Sequence, residues 1–336
     1  MIIPVNLGAD SYEILLEAGS LRRAGEVWNL GRKVLIVTDD GVPEAYARTL
    51  AAQCARAEIV RLPQGEETKS LENFRLLLTR MLAAGMNRHD CVAAVGGGVV
   101  GDLAGFAAAC FMRGVDFYNV PTTVLSQVDS SIGGKTAVNL DGVKNIVGAF
   151  HQPRGVLADP ETLRTLPPRQ VANGLAEAVK MALCFDEGEF ARFEAEALPA
   201  DLTPVIAGSL RIKKAVVEQD EKEQGLRQVL NFGHTLGHGI ESLHGENGLL
   251  HGECVALGML PMCSDAVRER LLPVLRRLGL PTACDADPDR VMAAVLHDKK
   301  ARAGAITAVT VETVGQYRLT PMTPETLRAR YVDCFR

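Results

Sequence analysis

Residues that can bind a metal ion lie close together in the second half of the chain. The segment Asn231-Phe-Gly-His234-Thr-Leu-Gly-His238 is followed by Leu250-His251-Gly-Glu253, and an upstream helical run, Gly174-Leu-Ala-Glu177-Ala-Val-Lys180, adds a glutamate. Two imidazoles and one carboxylate are the ligand set of a catalytic zinc-type site, which leaves one coordination position open. An open position can polarise a hydroxyl or a carbonyl group, so this pattern indicates an enzyme.

The spacing of the first two histidines suggests another metal motif. His234 and His238 are four residues apart and therefore share one face of a helix, as in the His-Glu-x-x-His motif of zinc proteases. Thr235 occupies the position where those enzymes have their general-base glutamate, so the protease interpretation fails. For each histidine taken alone, a buried imidazole that hydrogen-bonds to a backbone carbonyl is an equally open interpretation.

A glycine-rich turn predicts a dinucleotide site in the first half of the chain. Gly96, Gly98 and Gly101 match Gly-x-Gly-x-x-Gly between a predicted strand and a predicted helix. Glycines at these positions let backbone N–H groups approach a pyrophosphate at the positive end of the helix, although a simple tight turn has the same pattern. The usual acidic residue about 20 positions later is not convincing, and Asp39, after an earlier strand, is the better candidate for the ribose hydroxyls.

Further polar residues are candidates for the same nucleotide. Glu66 and Lys69 could contact it, although Gly65-Glu66-Glu67-Thr68-Lys69 could also be only a helix start with Thr68 as N-cap. Thr122 and Thr123 follow a predicted strand and offer hydroxyl donors beside the pocket.

A predicted hairpin carries two lysines. Asp141-Gly142 between apolar residues predicts its turn, with Lys135 and Lys144 on facing strands and close enough to bind one anion between them. The glycine pair beside Lys135 favours close approach of a ligand over the alternative of two ordinary surface lysines.

More basic side chains occur around the candidate metal ligands. Lys180 follows Glu177 by three residues, so both can point the same way from a helix. Lys213, Arg227 and the run His297-Asp-Lys299-Lys300 add positive charge. Such runs usually form a solvated face, but a multiply charged small substrate would need several of them.

The elements that position these residues change type near residue 160. Before it, predicted strands at 33–38, 58–62, 91–95 and 115–120 accompany a helix at 69–84, which predicts a parallel sheet covered on both faces. After it the periodicity is mostly helical to Leu296, with a strand pair from Ala305 onwards. The prediction is an α/β N-terminal domain (1–160) that binds the dinucleotide and a mostly α-helical C-terminal domain (161–336) that binds the metal and the substrate.

Composition limits the classes of partner. The chain has 336 residues, 47% of them hydrophobic, and a formal net charge of −5, which argues against nucleic acid or an anionic membrane surface as partners. Eight scattered cysteines, without a Cys-x-x-Cys pair, suggest reduced and mostly buried thiols in the cytoplasm. Neither a signal peptide nor an apolar run of roughly 20 residues is found.

Together these motifs resemble the 3-dehydroquinate synthase family of sugar phosphate cyclases. The resemblance is carried, in order, by Gly96-Gly-Gly-Val-Val-Gly-Asp102, Val128-Asp-Ser-Ser-Ile-Gly-Gly-Lys135, the Glu177 helix and both histidine segments. It implies a lyase of the shikimate pathway, which makes chorismate and the aromatic amino acids. The family converts 3-deoxy-D-arabino-heptulosonate 7-phosphate to 3-dehydroquinate and phosphate by transient NAD oxidation, phosphate elimination, re-reduction and an intramolecular aldol closure.

The resemblance also assigns individual residues. It implies that Glu177, His234 and His251 bind zinc or cobalt and that His238 faces the substrate instead. Substrate-pocket positions would be Asp129, Lys135, Lys144, Asn145, Lys180, Lys213, Arg227, Asn231, His238 and one of Lys299 and Lys300. Arg113 would act across the interface of a homodimer. NAD contacts would involve Asp39, Glu66, Lys69, Gly97, Gly98, Asp102, Thr122, Thr123, Lys135, Lys144 and Thr165.

Three alternatives remain open at this point. Another sugar-phosphate cyclase, of the valiolone or inosose type, would share the NAD and metal residues, but it has no need for the carboxylate-binding set Arg227, Asn231 and Lys213. A metal-dependent polyol dehydrogenase would release NADH, and the anion-binding lysines argue against it. A non-catalytic paralogue should have lost a ligand or a lysine, and none is missing.

Overall fold

The computed structural model describes residues 1–195, 200–244, 248–298 and 305–335. These residues form two compact units, Met1–Pro167 and Pro168–Arg336, each described below by itself. Lys299 and Lys300, predicted to contact substrate, lie outside the described residues.

The first unit is built on a seven-stranded sheet. Its strands are β1 (Ile2–Val5), β2 (Tyr12–Leu16), β3 (Lys33–Asp39), β4 (Arg56–Leu62), β5 (Cys91–Gly96), β6 (Asp116–Pro121) and β9 (Gly155–Ala158), while β7 (Lys135–Leu140) and β8 (Val143–Phe150) form a separate hairpin. The order is β1-β2-β9-β6-β5-β3-β4, and every neighbouring pair except β1 and β2 is parallel. The predicted parallel-type sheet is confirmed.

Helices cover both faces of this sheet. They are α1 (Ala24–Val27), α2 (Glu44–Ala51), α3 (Leu71–Ala83) and α4 (Gly98–Cys110). Successive side chains of a strand point to opposite faces, so Leu35 and Val37 of β3 join the core beneath α3 and α4, whereas Val34 and Ile36 join the core beneath α1 and α2. A strand buried on both sides explains the unbroken apolar run in the sequence.

Helix α3 begins later than its sequence indicates. Ser70 is its N-cap, and the Ser70 hydroxyl accepts a hydrogen bond from the backbone N–H of Asn73 at 3.2 Å. Thr68, the predicted cap, ends a short 3₁₀ turn and donates its hydroxyl hydrogen to the carbonyl of Pro63 at 2.6 Å. The Thr68 alternative was therefore wrong, because α3 begins at Leu71 and the backbone N–H of its third residue, Asn73, bonds to Ser70 instead.

The predicted hairpin forms, but its two lysines are not side by side. The turn lies at Asp141-Gly142, with φ of 48° and 77°, and Leu140 pairs with Val143. Lys135 pairs with Phe150 at the open end, whereas Lys144 directly follows the turn. At about 3.3 Å per residue the two lysines lie towards opposite ends of the hairpin, so the expectation that they lie close together was wrong.

The second unit is mostly helical, as predicted. Its helices are α5 (Pro168–Phe185), α6 (Glu187–Glu194), α7 (Thr203–Gln219), α8 (His234–His244), α9 (His251–Met259), α10 (Asp265–Arg277), α11 (Pro288–Asp298) and α12 (Pro324–Phe335). Strands β10 (Ile306–Thr313) and β11 (Gln316–Met322) form the late antiparallel pair. Among the described residues, none of the helices has the length and apolar character to cross a bilayer.

All eight cysteines are free thiols. Four of them, Cys91, Cys184, Cys254 and Cys263, are buried, so the prediction of mostly buried thiols holds for only half of the set. Burial raises the pKa of Cys91 to about 12, which leaves its thiol protonated and unreactive near neutral pH.

Candidate metal and nucleotide sites

Three helices of the second unit bring the predicted metal ligands together. Glu177 lies in the middle of α5, while His234 and His251 are the first residues of α8 and α9. The Nε2 atoms of His234 and His251 lie 3.6 and 3.4 Å from the same Glu177 oxygen, Oε1. One oxygen and two nitrogens from three separate helices thus face a common point.

The donor set fits a divalent cation. The ligand atoms of Glu177, His234 and His251 all lie within 4.8 Å of one another. The Glu177 side chain is 1% exposed, and both of its oxygens are buried without a hydrogen bond of standard geometry, although Oε2 forms an ion pair with Lys180. A buried carboxylate with two imidazoles beside it can coordinate zinc or cobalt without rearrangement of the backbone.

His238 belongs to the same cluster but not to this ligand set. Its ring lies 5.2 Å from the ring of His234 and 5.8 Å from that of His251, measured between centroids. A second possible ligand group contains His238, Glu241 and His251, without Glu177. The four-residue spacing of His234 and His238 therefore brings the rings together, but the oxygen donor faces His234 and His251.

Each candidate histidine ligand has a partner at its other ring nitrogen. Nδ1 of His234 lies 3.1 Å from the carbonyl oxygen of Phe232, and Nδ1 of His251 lies 3.1 Å from Oε2 of Glu241. Metal-binding histidines commonly have such outer partners, which fix the orientation and tautomer of the ring.

The two imidazoles differ in their affinity for protons. Burial lowers the pKa of His234 to about 3, and the nearby Lys180 ammonium adds to the effect, so this ring is neutral. Burial also opposes a charge on His251, but Glu177 and Glu241 outweigh it and raise the pKa of His251 to about 10. Burial would likewise raise the pKa of Glu177, yet Lys180 and the two histidines hold it well below its usual range. A metal ion at this point would replace a proton on His251.

Close helix packing depends on glycine. A Cβ atom at Gly252 would lie 1.9 Å from the carbonyl oxygen of Asn173 in α5, and the Gly252 N–H donates to Oδ1 of Asn173 at 2.6 Å. A Cβ atom at Gly258 would lie 2.0 Å from the carbonyl oxygen of Gly233, which precedes α8. These contacts hold α9 against α5 and the start of α8, which are the elements that carry the three ligands.

Glu253 fixes the beginning of α9. Its Oε2 accepts a hydrogen bond from the Leu250 backbone N–H at 2.7 Å, and Arg169 donates to both Glu253 oxygens at 2.7 Å. The last residue of Leu250-His-Gly-Glu253 therefore caps the helix that positions His251, which is the role of an acidic residue in a first helical turn.

Basic and polar residues of the second unit lie on neighbouring elements. Lys213, on α7, is 5% exposed, and Arg227 is 2% exposed. Arg227 donates to the carbonyl oxygen of Glu221, and Asn231 donates from Nδ2 to Glu223 Oε1 at 2.9 Å. Arg227 and Asn231 belong to one 3₁₀ turn, Leu226–Asn231, directly before α8.

In the first unit, the nucleotide candidates lie at the carboxyl ends of two adjacent interior strands of the sheet. The chain leaves β3 through α2 to β4 on one side and leaves β5 through α4 to β6 on the other, so adjacent β3 and β5 form a topological switch point. Ligands of open α/β sheets bind outside the carboxyl ends of the strands at such a point. Asp39 ends β3, and Gly96 ends β5 with Gly97 and Gly98 directly after it, which is the predicted pair of elements.

The glycine turn leaves space and backbone donors at these strand ends. Gly97 is the N-cap of α4 and has no side chain that could accept from the first N–H groups of this 13-residue helix. A Cβ atom at Gly97 would approach Thr123 Cγ2 to 3.2 Å, and one at Gly98 would approach Ser130 Oγ to 3.1 Å. This arrangement fits the pyrophosphate of a dinucleotide.

Lys69 joins three other predicted residues to one another. Its Nζ atom lies 2.7 Å from Oδ2 of Asp102 and 3.7 Å from Oε1 of Glu66, and it also donates to Oδ1 of Asn145. Asn139 completes the group by donating to Glu66 Oε1 at 2.9 Å and accepting from the Asn145 N–H at 2.8 Å. The network joins the turn before α3, helix α4 and the β7–β8 hairpin.

The remaining predicted residues of the first unit occupy separate positions. Thr122 directly follows β6 and donates its backbone N–H to the Gly96 carbonyl at 2.9 Å. Thr165 lies 3.2 Å from the hydroxyl of Tyr46 on α2, and Asp129 belongs to a π-helical turn, Ser126–Ser130. Arg113 is exposed, with φ of 70°, in the turn after α4.

Comparison with known proteins decides the family. Family models described as 3-dehydroquinate synthase N-terminal and C-terminal match residues 59–173 and 174–301. The 3-dehydroquinate synthase of Pelobacter propionicus is 41% identical, with 97% of each chain covered. That of Pelotomaculum thermopropionicum is 43% identical, with 94% of this chain and 91% of the relative covered.

The chain belongs to the 3-dehydroquinate synthase family. Solved structures of related cyclases agree with the fold of this family member. A 2-deoxy-scyllo-inosose synthase complexed with carbaglucose-6-phosphate, NAD⁺ and Co²⁺ superposes with a TM-score of 0.90 at 27% identity over the whole of both chains. A 2-epi-5-epi-valiolone synthase of Streptomyces hygroscopicus with NAD⁺ and Zn²⁺ bound gives 0.87 at 28% identity, with 96% of both chains covered.

Several residues of this 3-dehydroquinate synthase family member escaped prediction from the sequence. Asn139 belongs to the Lys69 network, Asn173 accepts from Gly252, and Glu241 contacts His251. Glu241 follows His238 by three residues, so its helical spacing was the available signal. The roles of Asn139 and Asn173 depend on contacts between distant segments, which spacing along the chain does not reveal.

Proposed function

We propose that this chain is a 3-dehydroquinate synthase. It converts 3-deoxy-D-arabino-heptulosonate 7-phosphate to 3-dehydroquinate and phosphate, using NAD and one divalent metal ion, zinc or cobalt. The reaction sequence is oxidation, phosphate elimination, re-reduction and aldol closure. The observation that carries this proposal is the meeting of Glu177, His234 and His251 in a chain over 40% identical to 3-dehydroquinate synthases.

Glu177, His234 and His251 would hold the metal, which when bound polarises an oxygen of the substrate. Lys180 holds the Glu177 carboxylate in place through their ion pair, and burial of both side chains keeps this charged contact away from water. His238 lies beside the ligands and can bind or move a proton on the substrate.

The first unit would bind NAD, which takes up a hydride from the substrate and later returns it. Asp39 is suited to accept hydrogen bonds from ribose hydroxyls, and the backbone N–H groups at Gly97 and Gly98 are suited to the pyrophosphate. The network around Lys69 holds Glu66 and Asp102 in position beside the helix start.

Arg227, Asn231 and Lys213 would bind the carboxylate of the substrate. A guanidinium presents two parallel N–H donors that match the two oxygens of a carboxylate, and Asn231 adds an amide from the same 3₁₀ turn. The cyclases named above are 27–28% identical to this chain, whereas the curated 3-dehydroquinate synthases reach 43%.

A homodimer is part of the same proposal. Met112, Ile146 and Phe150 are exposed apolar side chains, 49%, 59% and 46% accessible. His151, directly after Phe150, lies 2.9 Å from the Val115 carbonyl through Nε2, so the end of β8 adjoins the Arg113 turn. Exposed apolar groups beside a positively charged turn suit an interface between two copies of the chain. The free thiols are in keeping with a cytoplasmic location.

The test measures phosphate and NADH in the same reaction. Purified protein with NAD and zinc or cobalt is given the heptulosonate phosphate, sedoheptulose 7-phosphate or glucose 6-phosphate. The proposal requires one phosphate per molecule of heptulosonate phosphate consumed and no net NADH in the steady state. Steady NADH accumulation without phosphate would establish a dehydrogenase, and turnover of only the other two sugars would establish a different cyclase.

A further inference from the structure

Glu241 contacts a candidate metal ligand from outside the ligand set. Its Oε2 lies 3.1 Å from Nδ1 of His251, while Nε2 of the same ring lies 3.4 Å from Oε1 of Glu177. The two nitrogens of one imidazole thus face two different carboxylates. The Glu241 and His251 side chains are 18% and 33% exposed, so water weakens the contact only in part.

Among the described residues, no acidic side chain contacts Nδ1 of the other histidine ligand, His234. Nδ1 of His234 contacts the backbone carbonyl of Phe232, which is fixed by the chain and carries no net charge. Both rings are therefore held at Nδ1 and turn Nε2 towards Glu177. A neutral ring that donates its proton from Nδ1 has its lone pair on Nε2, the form a metal requires.

We propose that Glu241 is a positioning residue for metal binding. It holds the ring of His251 in the orientation and tautomer that expose the Nε2 lone pair, and its negative charge strengthens this nitrogen as a donor. The inference rests on the proposed function for the identity of the metal site. Outer carboxylates of this kind typically change metal affinity by about 10- to 100-fold.

The packing of α8 on α9 explains why Glu241 reaches this position. A Cβ atom at Gly237 would lie 2.9 Å from the Cys254 carbonyl oxygen, so the absence of a side chain lets the two helices approach closely. Glu241 lies four residues after Gly237 and therefore on the same face of α8, towards the first turn of α9. Backbone packing, and not chance rotation of a surface glutamate, places the carboxylate beside His251.

Metal affinity tests the proposal directly. Metal is removed from the full-length protein, and zinc or cobalt is then titrated in competition with a chromophoric chelator. Glu241→Ala should raise the metal Kd by about 10- to 100-fold, and Glu241→Gln by less, because an amide oxygen still accepts the hydrogen bond but has no charge. Ser242→Ala, which removes a hydroxyl bonded to the Gly239 carbonyl of the same helix, should leave Kd unchanged.

The absorption spectrum of bound cobalt separates positioning from direct ligation. Glu241, His238 and His251 also lie within ligand distance of one another, so direct binding of the metal by Glu241 is the alternative to be tested. A positioning residue leaves the cobalt spectrum at saturation unchanged and lets most of kcat return at high metal concentration. A changed spectrum, or an unaltered Kd in Glu241→Ala, would overturn the proposal.

Failure of the proposal for Glu241 can be distinguished from failure of the proposed function. Wild-type protein that binds metal but releases no phosphate would refute the enzymatic proposal while the comparison of Kd values stands. Wild-type protein that turns over, alongside a Glu241→Ala variant with wild-type Kd, would refute only the role of Glu241. If Glu241→Ala does not fold, as judged by circular dichroism, the Kd of Glu241→Gln decides: an unaltered value overturns the inference.

Discussion

Lys180 and Glu177 form an ion pair in which both side chains are almost fully buried, 2% and 1% exposed. Loss of one partner of such a pair leaves an uncompensated charge in the interior and typically costs about 3–5 kcal/mol. Glu177 therefore has two separable roles, as counter-ion of Lys180 and as candidate metal ligand.

Glu177→Gln should lose both the metal and part of the stability. The double variant Glu177→Gln/Lys180→Met removes both charges, so it should regain stability in urea melts without regaining metal, measured by elemental analysis. Glu218→Gln, which alters the Lys214–Glu218 ion pair on α7, is the control and should keep its metal. Full metal occupancy in Glu177→Gln would remove Glu177 from the ligand set.

Asp39 predicts a preference for NAD over NADP. It ends β3 at the switch point, and a carboxylate that accepts ribose hydroxyls repels the extra phosphate of NADP. Calorimetric titration should show tighter binding of NAD, and Asp39→Asn should reduce the difference by about tenfold, or roughly 1.4 kcal/mol. Asp40→Asn is the neighbouring control, because Asp40 accepts from the Gln64 N–H instead. Equal binding of both nucleotides by wild-type protein would contradict the assignment.

The fold was predictable because its local signals agree with its packing. Apolar runs such as residues 33–38 matched buried parallel strands, and Asp141-Gly142 matched a hairpin turn. The turn fixes the register beside it, where Leu140 pairs with Val143, but nothing in the side-chain pattern reveals the bulge between Val138 and Leu140, which shifts the pairing so that Lys135 lies opposite Phe150. The N-cap of α3 was likewise ambiguous, because Thr68 and Ser70 have the same capping chemistry and only the observed hydrogen bond from the Asn73 N–H to Ser70 separates them.

The residue types of the candidate metal ligands were predictable from the sequence, but the helix packing that orients them was not. Spacing brings His234 near His238, yet only the packing of α5, α8 and α9 shows which nitrogen atoms face Glu177. Gly252 has no signature in the sequence beyond its small size, although a Cβ atom there would meet the backbone of α5.

Gly252→Ala should separate the helices that carry the ligands. Its Cβ atom would lie 1.9 Å from the Asn173 carbonyl oxygen, a contact that only backbone movement can relieve. Overpacking of this kind costs about 1–3 kcal/mol or more, and the shift of α9 should also weaken metal binding. Gly31→Ala, where the nearest atom is 3.8 Å away, should leave the thermal midpoint and metal content unchanged. Wild-type stability of Gly252→Ala would show that α5 and α9 are packed less closely.

Asp116 should contribute to stability in a pH-dependent way. Burial alone would raise its pKa, but hydrogen bonds from Arg154 at 2.9 Å and Arg32 at 2.6 Å outweigh burial and lower it. Because the folded pKa lies below the unfolded value of about 3.9, the unfolded state binds more protons in acid. The stabilisation is complete above the unfolded pKa and disappears as pH falls through the folded pKa.

Urea midpoints measured from pH 7 to pH 3 test this expectation. Asp116→Asn should be less stable than wild type at pH 7, and the difference between the two curves should narrow only below about pH 4, as the pH falls towards the folded pKa. Asp265→Asn removes the same charge from an exposed ion pair with Arg268, and its urea midpoint should differ little from that of wild type at pH 7 or at pH 3. Curves of Asp116→Asn and wild type that remain parallel throughout would show that the arginine contacts do not stabilise the folded carboxylate.

Substitution of Arg227 tests whether the substrate carries a carboxylate. Its side chain is 2% exposed and precedes Asn231 in the same 3₁₀ turn, so its donors are directed by the fold. Arg227→Lys keeps the positive charge but loses the planar pair of donors that fits two carboxylate oxygens. It should lower kcat/KM for the heptulosonate phosphate by at least about tenfold, or roughly 1.4 kcal/mol of transition-state stabilisation.

Arg211→Lys is the matched control. Arg211, on α7, forms an ion pair with Glu189 of α6, and its variant should retain wild-type kcat/KM. Because Arg227 also donates to the Glu221 carbonyl, a thermal melt of each variant must first show an intact fold. An Arg227→Lys variant that folds and turns over at the wild-type rate would point to a cyclase whose substrate has no carboxylate.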